Sequence, residues 1–530
     1  MSEYIPVLIA GGGPVGLATA VELAHHGVRS VVVEPRAEVS WSRPRAKTTS
    51  ARTMELFRRW GLADTVRARA AIPVSWSDQA VFTTGLLHRE ITRFHGCFGL
   101  DLTGDDLVAE PGQQVGQPTI EMILREAATA SPYTDLRLGW SVGAVAEDAE
   151  GVTAALTGPD GTVTEIRADY LVGADGAWST VRSAMGAEYR GSADERPNFN
   201  IVFRTPGLAE QVPHGPAVHY WVLHPQQPGL IGRLDLDDTW WCIAQGITAA
   251  EGERDPLRIV RALVGADIEA EIIATDPWKA KLLLVDHYST DRVFLAGDAA
   301  HLNPPWGGHG FNTGIGDAVN LGWKLGAVLN GWAPCSLLAS YGIERKPIAA
   351  QTISEAARNM ATLAPELTDP RLAGTDAEFE AIRPAVAAAV QHAKDSEFHS
   401  LGLVLGYGYR GSPAIIGEAG SRLPHRWIGP GDSLYDHLGD GFTLVGDLTK
   451  PIVAEFIEAA EAEGIPLDLF EHPDTGLALV RPDQHIAWTD ADPQRAREVL
   501  RQAIGHTPRA AQHLLSTSPS AHQVTDKEVP

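Results

Sequence analysis

Two residue groups near the start of the chain could bind a nucleotide. The run Gly11-Gly12-Gly13-Pro14-Val15-Gly16 has the pattern G-x-G-x-x-G, and Glu34 follows Gly16 by eighteen residues. Gly11 permits a tight turn, Gly13 lets the backbone approach a pyrophosphate, and Gly16 allows a helix to pack closely. The N-terminus of that helix, with Pro14 and Val15 in its first turn, would stabilise phosphate charge. Glu34 is placed to bind ribose hydroxyls, and Arg36 stands two residues beyond it. A lone glycine pattern is weak evidence, but the acidic residue at this spacing strengthens it.

Two further clusters follow. The first is Asp175-Gly176-Ala177-Trp178-Ser179-Thr180-Val181-Arg182. The second is Gly297-Asp298-Ala299-Ala300-His301, running on through Pro304-Pro305-Trp306-Gly307-Gly308-His309-Gly310-Phe311-Asn312 to Asp317, Asn320, Trp323 and Lys324. Plainer readings exist for several of these residues. Asp298 could cap a helix, but the glycines after it would then be a needless entropic cost. Arg182 could be an ordinary ion-pair partner, Gln117 could cap its own helix, and His301 has no partner visible in the sequence.

The elements that must position these groups can be read from periodicity. Tyr4–Ala10 is a short apolar run, Val15–His26 has helical spacing stopped by Gly27, and Val28–Glu34 is a second β-branched run, together a βαβ unit. Ser50–Trp60 and Pro118–Ala130 predict helices, with short β-like pieces over Ile72–Leu102 between them. Leu136–Val145, Val152–Leu156, Val163–Ile166 and Tyr170–Gly173 predict strands. From Phe199 to Ile247 apolar and polar residues alternate, which suggests an antiparallel sheet with one covered face. Arg292–Ala296 predicts a buried strand and Gly314–Leu329 a long helix. A helical connector follows, and then a small α/β unit with signals at Phe442–Val445, Ile452–Glu463, Leu477–Arg481 and Pro493–Ile504. The tail beyond Ser516 has a disordered composition.

The balance of 43 basic against 67 acidic residues gives a formal charge of −24 and argues against nucleic acid as a partner. Cys97, Cys242 and Cys335 are far apart and form no metal or redox spacing, which fits a reducing compartment. Glycines and Pro14 interrupt the apolar opening, so it reads as neither signal peptide nor membrane span. The expectation is a cytoplasmic protein with no membrane partner, open to homo-oligomer formation.

In order and spacing the three glycine and Asp-Gly clusters resemble the aromatic-hydroxylase group of flavoprotein monooxygenases, typified by para-hydroxybenzoate hydroxylase. The resemblance spans residues 4 to 350. The unit near Gly417–Thr507, chiefly through Val480-Arg481-Pro482-Asp483-Gln484-His485-Ile486-Ala487-Trp488, resembles the thioredoxin-like appendage of the phenol-hydroxylase branch. It contains no cysteine and so cannot exchange disulfides, which leaves packing or oligomerisation as its role.

The implied fold is α/β. A Rossmann-like FAD-binding domain of the GR2 type (1–75, 105–185, 285–350) interleaves with a mainly antiparallel substrate-binding β domain (76–104, 186–284). A helical connector (351–400), a thioredoxin-like domain (401–512) and a tail (513–530) follow. The implied FAD contacts are Gly11, Gly13, Pro14, Val15, Gly16, Glu34, Arg36, Arg45, Gln117, Asp175, Gly297, Asp298, Pro305, Gly307, Gly308, Gly310, Phe311 and Asn312. Asp298 would bind the ribitol, Gly307–Gly310 would aim N–H groups at the flavin N1–O2 edge, and Asp175 would be shared with nicotinamide recognition. Trp221, Arg233, Pro304 and Trp306 are the substrate-pocket candidates. Trp306 and His309 stand where Phe and Gln are usual in the family.

The implied reaction is reduction of FAD by NADPH or NADH, addition of O2 at flavin C4a, and transfer of the distal oxygen of that hydroperoxide to an aromatic or polyketide-like molecule, in secondary metabolism. The flavin carries the chemistry and no protein nucleophile is required. Only the G-x-G-x-x-G at Gly11–Gly16 lies in a βαβ unit, which argues against reductases with two dinucleotide folds, and the W-x-W-x-I-P pattern of flavin halogenases is absent. The alternatives are an epoxidase or reductase on the same fold and, more remotely, a non-catalytic escort-type binding protein.

Overall fold

Five strands run parallel, in the order Thr134–Leu138, Ser30–Glu34, Glu3–Ala10, Val163–Gly173 and Val293–Leu295. The computed structural model describes residues 3–472 and 476–506, so the tail beyond Ser516 lies outside the described residues. Val163–Gly173 is long enough to serve two neighbours. Its second half pairs in parallel with Val293–Leu295, while its first half pairs antiparallel with Gly151–Thr157, which extends the sheet to Ser141–Asp148. The central strands are buried along both faces, as a parallel sheet covered by helices requires. The predicted strand over Leu136–Val145 is two strands, because Gly139 turns the chain at φ +79.

Helix Pro14–His25 packs along helix His309–Leu329, which starts five residues before the predicted Gly314. The early glycines have weak helix propensity and hide this first turn from a periodicity reading.

An eight-stranded sheet forms the second layer, antiparallel except where Ala80–Thr83 runs parallel to His219–Val222. Alternation along its strands separates two faces. Phe199, Ile201, Phe203, Trp240 and Cys242 pack outward against helix Pro256–Val264, whereas Trp221, Leu230, Trp241 and Ile243 share a cluster with Trp306. The sequence pattern does not announce its two longest strands, Tyr189–Arg204 and Glu271–Val285. They carry Pro197 and Pro277 and are largely half-exposed, so both the ladder and the alternation are broken in the sequence.

The connector consists of helices Ser340–Ala361 and Asp376–Phe398, each tolerating an internal proline, with short helical turns between them. The C-terminal unit has strands in the order Leu467–Glu471, Phe442–Gly446, Ala478–Val480 and Ile486–Thr489, the first pair parallel and the others antiparallel, with helices Ile452–Glu463 and Ala496–Ala503. This is a thioredoxin-like topology. Its core is continuous with the rest of the molecule, because Phe442, Phe456 and Trp488 share a cluster with Trp323, Leu337 and Ile348. Among the described residues no helix is long and apolar enough to cross a membrane.

Candidate functional site

The first glycine turn is built by close approach of backbones. Gly11 sits at φ +100, donates its N–H to Val33 O at 2.8 Å, and lies so near Ala174 that a Cβ on it would stand 2.3 Å from that carbonyl oxygen. A Cβ on Gly16 would meet Gly11 O at 1.9 Å. Gly13 differs from both. Its backbone is ordinary extended chain (φ −74, ψ 179), and a Cβ there would meet nothing within 4 Å. Neither conformation nor protein neighbours require glycine at position 13, so the open space before the helix N-terminus fits a ligand that comes to the backbone.

Around this turn the Glu34 carboxylate accepts from Gly12 N–H (2.8 Å) and from Arg36 Nε (2.7 Å), and Arg36 Nη2 also donates to Glu121. Val15 turns its side chain toward Gly297 and Gly314, so its contribution to the turn is backbone alone. Asp175 caps the short helix Thr180–Ala184, accepting from the N–H groups of Thr180 and Val181 and from Ser179 Oγ. Arg182 stacks over Tyr189 at 4.0 Å and donates to Ala299 O, and Tyr189 donates its hydroxyl to Asp298 O. The second and third clusters are therefore tied together by Arg182 and Tyr189.

The Asp298 side chain makes no hydrogen bond within the chain. It is exposed, yet the surrounding protein desolvates it enough to raise its carboxyl above the usual range, against the opposing pull of His301 and Arg45. An exposed group with this behaviour lines a deep space rather than an outer surface. Asp317 anchors the loop from behind. Its Oδ2 accepts from Gly297 N–H (3.1 Å) and lies 3.0 Å from His301 Nε2, while Oδ1 accepts from Arg345 Nε at 2.8 Å. Burial alone would raise Asp317, but Arg345 and His301 outweigh it and hold the carboxyl below its ordinary range. His301 thus has a partner that the sequence does not reveal.

Past Pro304, which is buried, and Pro305, which is exposed, Gly307 (φ +89) and Gly308 (φ +69) turn the chain into helix His309–Leu329, whose N-terminus carries no side-chain cap. The first-turn N–H groups, including those of Gly310 and Phe311, are left to a ligand. Asn312 is engaged elsewhere, accepting from Ser50 N–H and donating to Thr48 O and Gly308 O. Gln117 donates its backbone N–H to Ala46 O at 2.8 Å, so the Gln117 helix start supports the loop carrying Arg45, itself at φ +46.

The sheet face bearing Trp221 meets this loop. Trp306 packs between Trp221 (6.0 Å) and Trp278 (6.1 Å), and the indole N–H groups of Trp221, Trp241 and Trp306 are buried with no acceptor among the described residues. Trp221 is fully buried between Phe82 and Lys394, which makes it a wall behind the cluster. Arg233 lies on the opposite face, over Trp240, with its guanidinium hydrogen-bonded to the carbonyls of Asp235 and Asp237. That arrangement stabilises a turn and leaves Arg233 away from the loop, which corrects its reading as a pocket residue. His219, which the sequence places in the substrate layer, borders this face, as do Trp278 and Lys47, and Lys47 is hidden because a lysine in an irregular segment carries no periodicity.

The C-terminal unit reaches the same hub. Arg481 donates to both oxygens of Glu344 at 2.8 Å, Asp483 accepts from Asn320 and Trp323, and Arg345, which holds Asp317, also donates to Tyr409. All of these side chains are buried.

The open backbone at Gly13, the unbonded Asp298 carboxylate and the uncapped helix at Gly308 together fit a long dinucleotide with a ring at its far end. Comparison with known proteins agrees. A family model described as an FAD binding domain matches residues 4–356, and one described as aromatic-ring hydroxylase, C-terminal, matches residues 417–507. The chain is 33% identical to 4-methyl-5-nitrocatechol 5-monooxygenase of Burkholderia sp, over 92% of this chain and 94% of that protein. It is also 33% identical to tetracenomycin B2 monooxygenase-dioxygenase of Streptomyces olivaceus, over 93% and 97%. Among solved structures, the rebeccamycin biosynthetic enzyme RebC with reduced flavin superposes with a TM-score of 0.88 at 32% identity, over 95% of this chain and 100% of that one.

Proposed function

We propose that this chain, which belongs to the FAD-dependent aromatic-ring hydroxylases, inserts one oxygen atom into a polycyclic phenolic substrate of the aromatic polyketide kind. Bound FAD would pass electrons from NADPH or NADH to O2, one atom of which goes to the substrate while the other leaves as water. In this reading Gly11, Gly13 and Gly16 admit the pyrophosphate, Glu34 and Arg36 meet the adenosine end, Asp298 takes a ribitol hydroxyl, and the amides after Gly308 face the flavin ring edge. Arg345 and Asp317 keep that edge in place from behind.

The observation that carries the substrate class is the aromatic wall beside the flavin loop, where Trp306 of the loop packs against Trp278 and Trp221 of the sheet and Trp241 lies on the same face. A cluster of indoles suits a flat, extended ring system, and unpaired indole N–H groups suit its carbonyl and hydroxyl oxygens. A catechol and a tetracenomycin appear in the names of the two relatives, and the breadth of this wall favours the larger. Free cysteines at Cys97, Cys242 and Cys335 support a cytoplasmic setting.

The test is turnover of the FAD-loaded protein with a panel of hydroxylated anthraquinones and monocyclic phenols, following NAD(P)H, O2 and peroxide, with product mass read alongside. A polycyclic phenol that gains one oxygen atom in step with O2 consumption is expected. Oxygen insertion confined to monocyclic phenols, or peroxide as the sole product throughout, overturns the substrate class.

A further inference from the structure

Two fully buried lysines of this molecule each hold a carboxylate. Lys324 pairs with Glu344 at 2.7 Å and Lys394 with Glu397 at 2.9 Å. Lys47 has no carboxylate within ion-pair distance among the described residues. Its only hydrogen bond runs to Arg45 O at 2.9 Å, and its ammonium sits 4.2 Å above the Trp241 ring. Arg45 adopts a left-handed backbone (φ +46) to present that carbonyl, a strained conformation of the kind that persists where the surroundings demand it.

The groups facing Lys47 do not neutralise it. His219, from the neighbouring strand His219–Val222, packs edge-on against Trp241 at 5.6 Å and against Phe98 at 5.4 Å, and its Nδ1 is buried without a partner. Burial first, and then the Lys47 charge, push the His219 pKa down to about 3, so this imidazole is neutral. Arg45 contributes a second positive charge from the same segment. Desolvation lowers the Lys47 ammonium to about 8, which leaves it mostly charged at neutral pH with no anion of its own. A half-buried cation of this kind, on an aromatic floor beside the flavin loop, fits an anion brought by a ligand.

Resting on the substrate class proposed above, we propose that Lys47 is a specificity-determining residue that recognises an ionised phenolic oxygen of the aromatic substrate and holds that ring as its phenolate over Trp241. On binding, the phenol O–H bond breaks, its proton leaves to the solvent, and the electron pair stays on oxygen opposite the Lys47 ammonium. No oxidant or reductant enters this step. The retained charge makes the positions ortho and para to that oxygen more nucleophilic, which is what the oxygen insertion requires of the substrate. The Trp241 face supports the ammonium by cation–π attraction while leaving its remaining N–H donors free.

The experiment uses alizarin, a hydroxylated anthraquinone whose phenol and phenolate absorb at different wavelengths, and anthraquinone, which lacks the hydroxyl groups. Both are titrated into the FAD-loaded wild type, K47R and K47M, and the ionisation of bound alizarin is followed by visible absorption from pH to pH. In the wild type the bound dye is expected to ionise at least one pH unit below its value in buffer, a tenfold shift in ionisation constant. K47R is expected to keep most of that shift and K47M to lose it, while anthraquinone binds all three proteins alike. Should K47M fail to hold FAD, K47Q carries the same measurement. Ionisation of bound alizarin at the same pH in wild type and K47M overturns the role of Lys47 and leaves the substrate class standing. Failure of both dyes to bind the wild type overturns the substrate class, and the Lys47 assignment with it.

Discussion

Arg481 and Glu344 form a two-toothed pair, with Nη1 and Nη2 each 2.8 Å from a carboxylate oxygen, and both side chains are fully buried. Arg481 belongs to the C-terminal unit and Glu344 to the helix that also carries Arg345, the partner of Asp317. One residue therefore separates the joint between domains from the loop that ends in Asp298. The C-terminal unit contains no cysteine but has a structural hold on the flavin motif.

Removing one member of that pair leaves the buried cluster of Arg481, Lys324, Glu344 and Asp483 with an unbalanced charge. R481M and E344Q are each expected to destabilise the protein by about 3–5 kcal/mol and to speed FAD release, read by urea unfolding and by flavin fluorescence. R481M combined with E344Q is expected to cost less than the sum of the singles. Additive losses would mean that the pair does not act as a unit.

Much of this site is legible in the sequence, for reasons that differ by residue. Gly11 and Gly16 are visible because a Cβ on either would stand 2.3 or 1.9 Å from a backbone oxygen, which leaves no room for another residue, and Asp298 because its glycine neighbours have no other purpose. Trp306 stands out by type and position. Arg233 misleads, since a strand residue shows its parity but not which side of the sheet holds the loop. Lys47 is silent, and His219 shows only its place in the substrate layer, because the two meet only through tertiary packing. The Glu344–Arg481 and Asp317–Arg345 pairs are separated by 137 and 28 residues, and no local pattern links them.

Gly13 offers a clean separation of ligand binding from folding. Its backbone angles suit alanine and its Cβ direction is open, so G13A is expected to fold with unchanged stability in the absence of FAD. Affinity for FAD is expected to fall about a hundredfold, or ~2.8 kcal/mol, because the new methyl group occupies the pyrophosphate's approach. Equal FAD affinity in G13A and wild type, measured by calorimetry, would place the pyrophosphate elsewhere.

Asp298 and Asp317 lie on one loop-and-helix corner but should behave oppositely. Asp298 makes no side-chain hydrogen bond, so D298A is expected to lower FAD affinity with little change in the stability of the flavin-free protein. Asp317 holds Gly297, His301 and Arg345, and D317A is expected to cost about 3–5 kcal/mol even without FAD. Thermal unfolding of both variants with the flavin removed distinguishes them. A D298A loss as large as that of D317A would mean that Asp298 is a folding residue.

The buried carboxylates also set a direction for pH. Burial alone would raise Glu344, but Arg481 and Lys324 outweigh it and hold the carboxyl well below its ordinary range, and Arg481 does the same to Asp483 against its own burial. A carboxyl lower in the folded than in the unfolded state binds fewer protons when folded, so its stabilisation is complete above the unfolded value. It is lost as pH falls below that value toward the folded one. The stability gap between wild type and E344Q should therefore be widest at neutral pH and shrink once the pH drops below about 4, because the wild type then loses what the variant never had. Unfolding temperature against pH, for both proteins, reads the effect directly. A gap that stays constant through the acid range would show that Glu344 binds protons equally in the folded and unfolded protein, and that the joint to the C-terminal unit is held by shape rather than by charge.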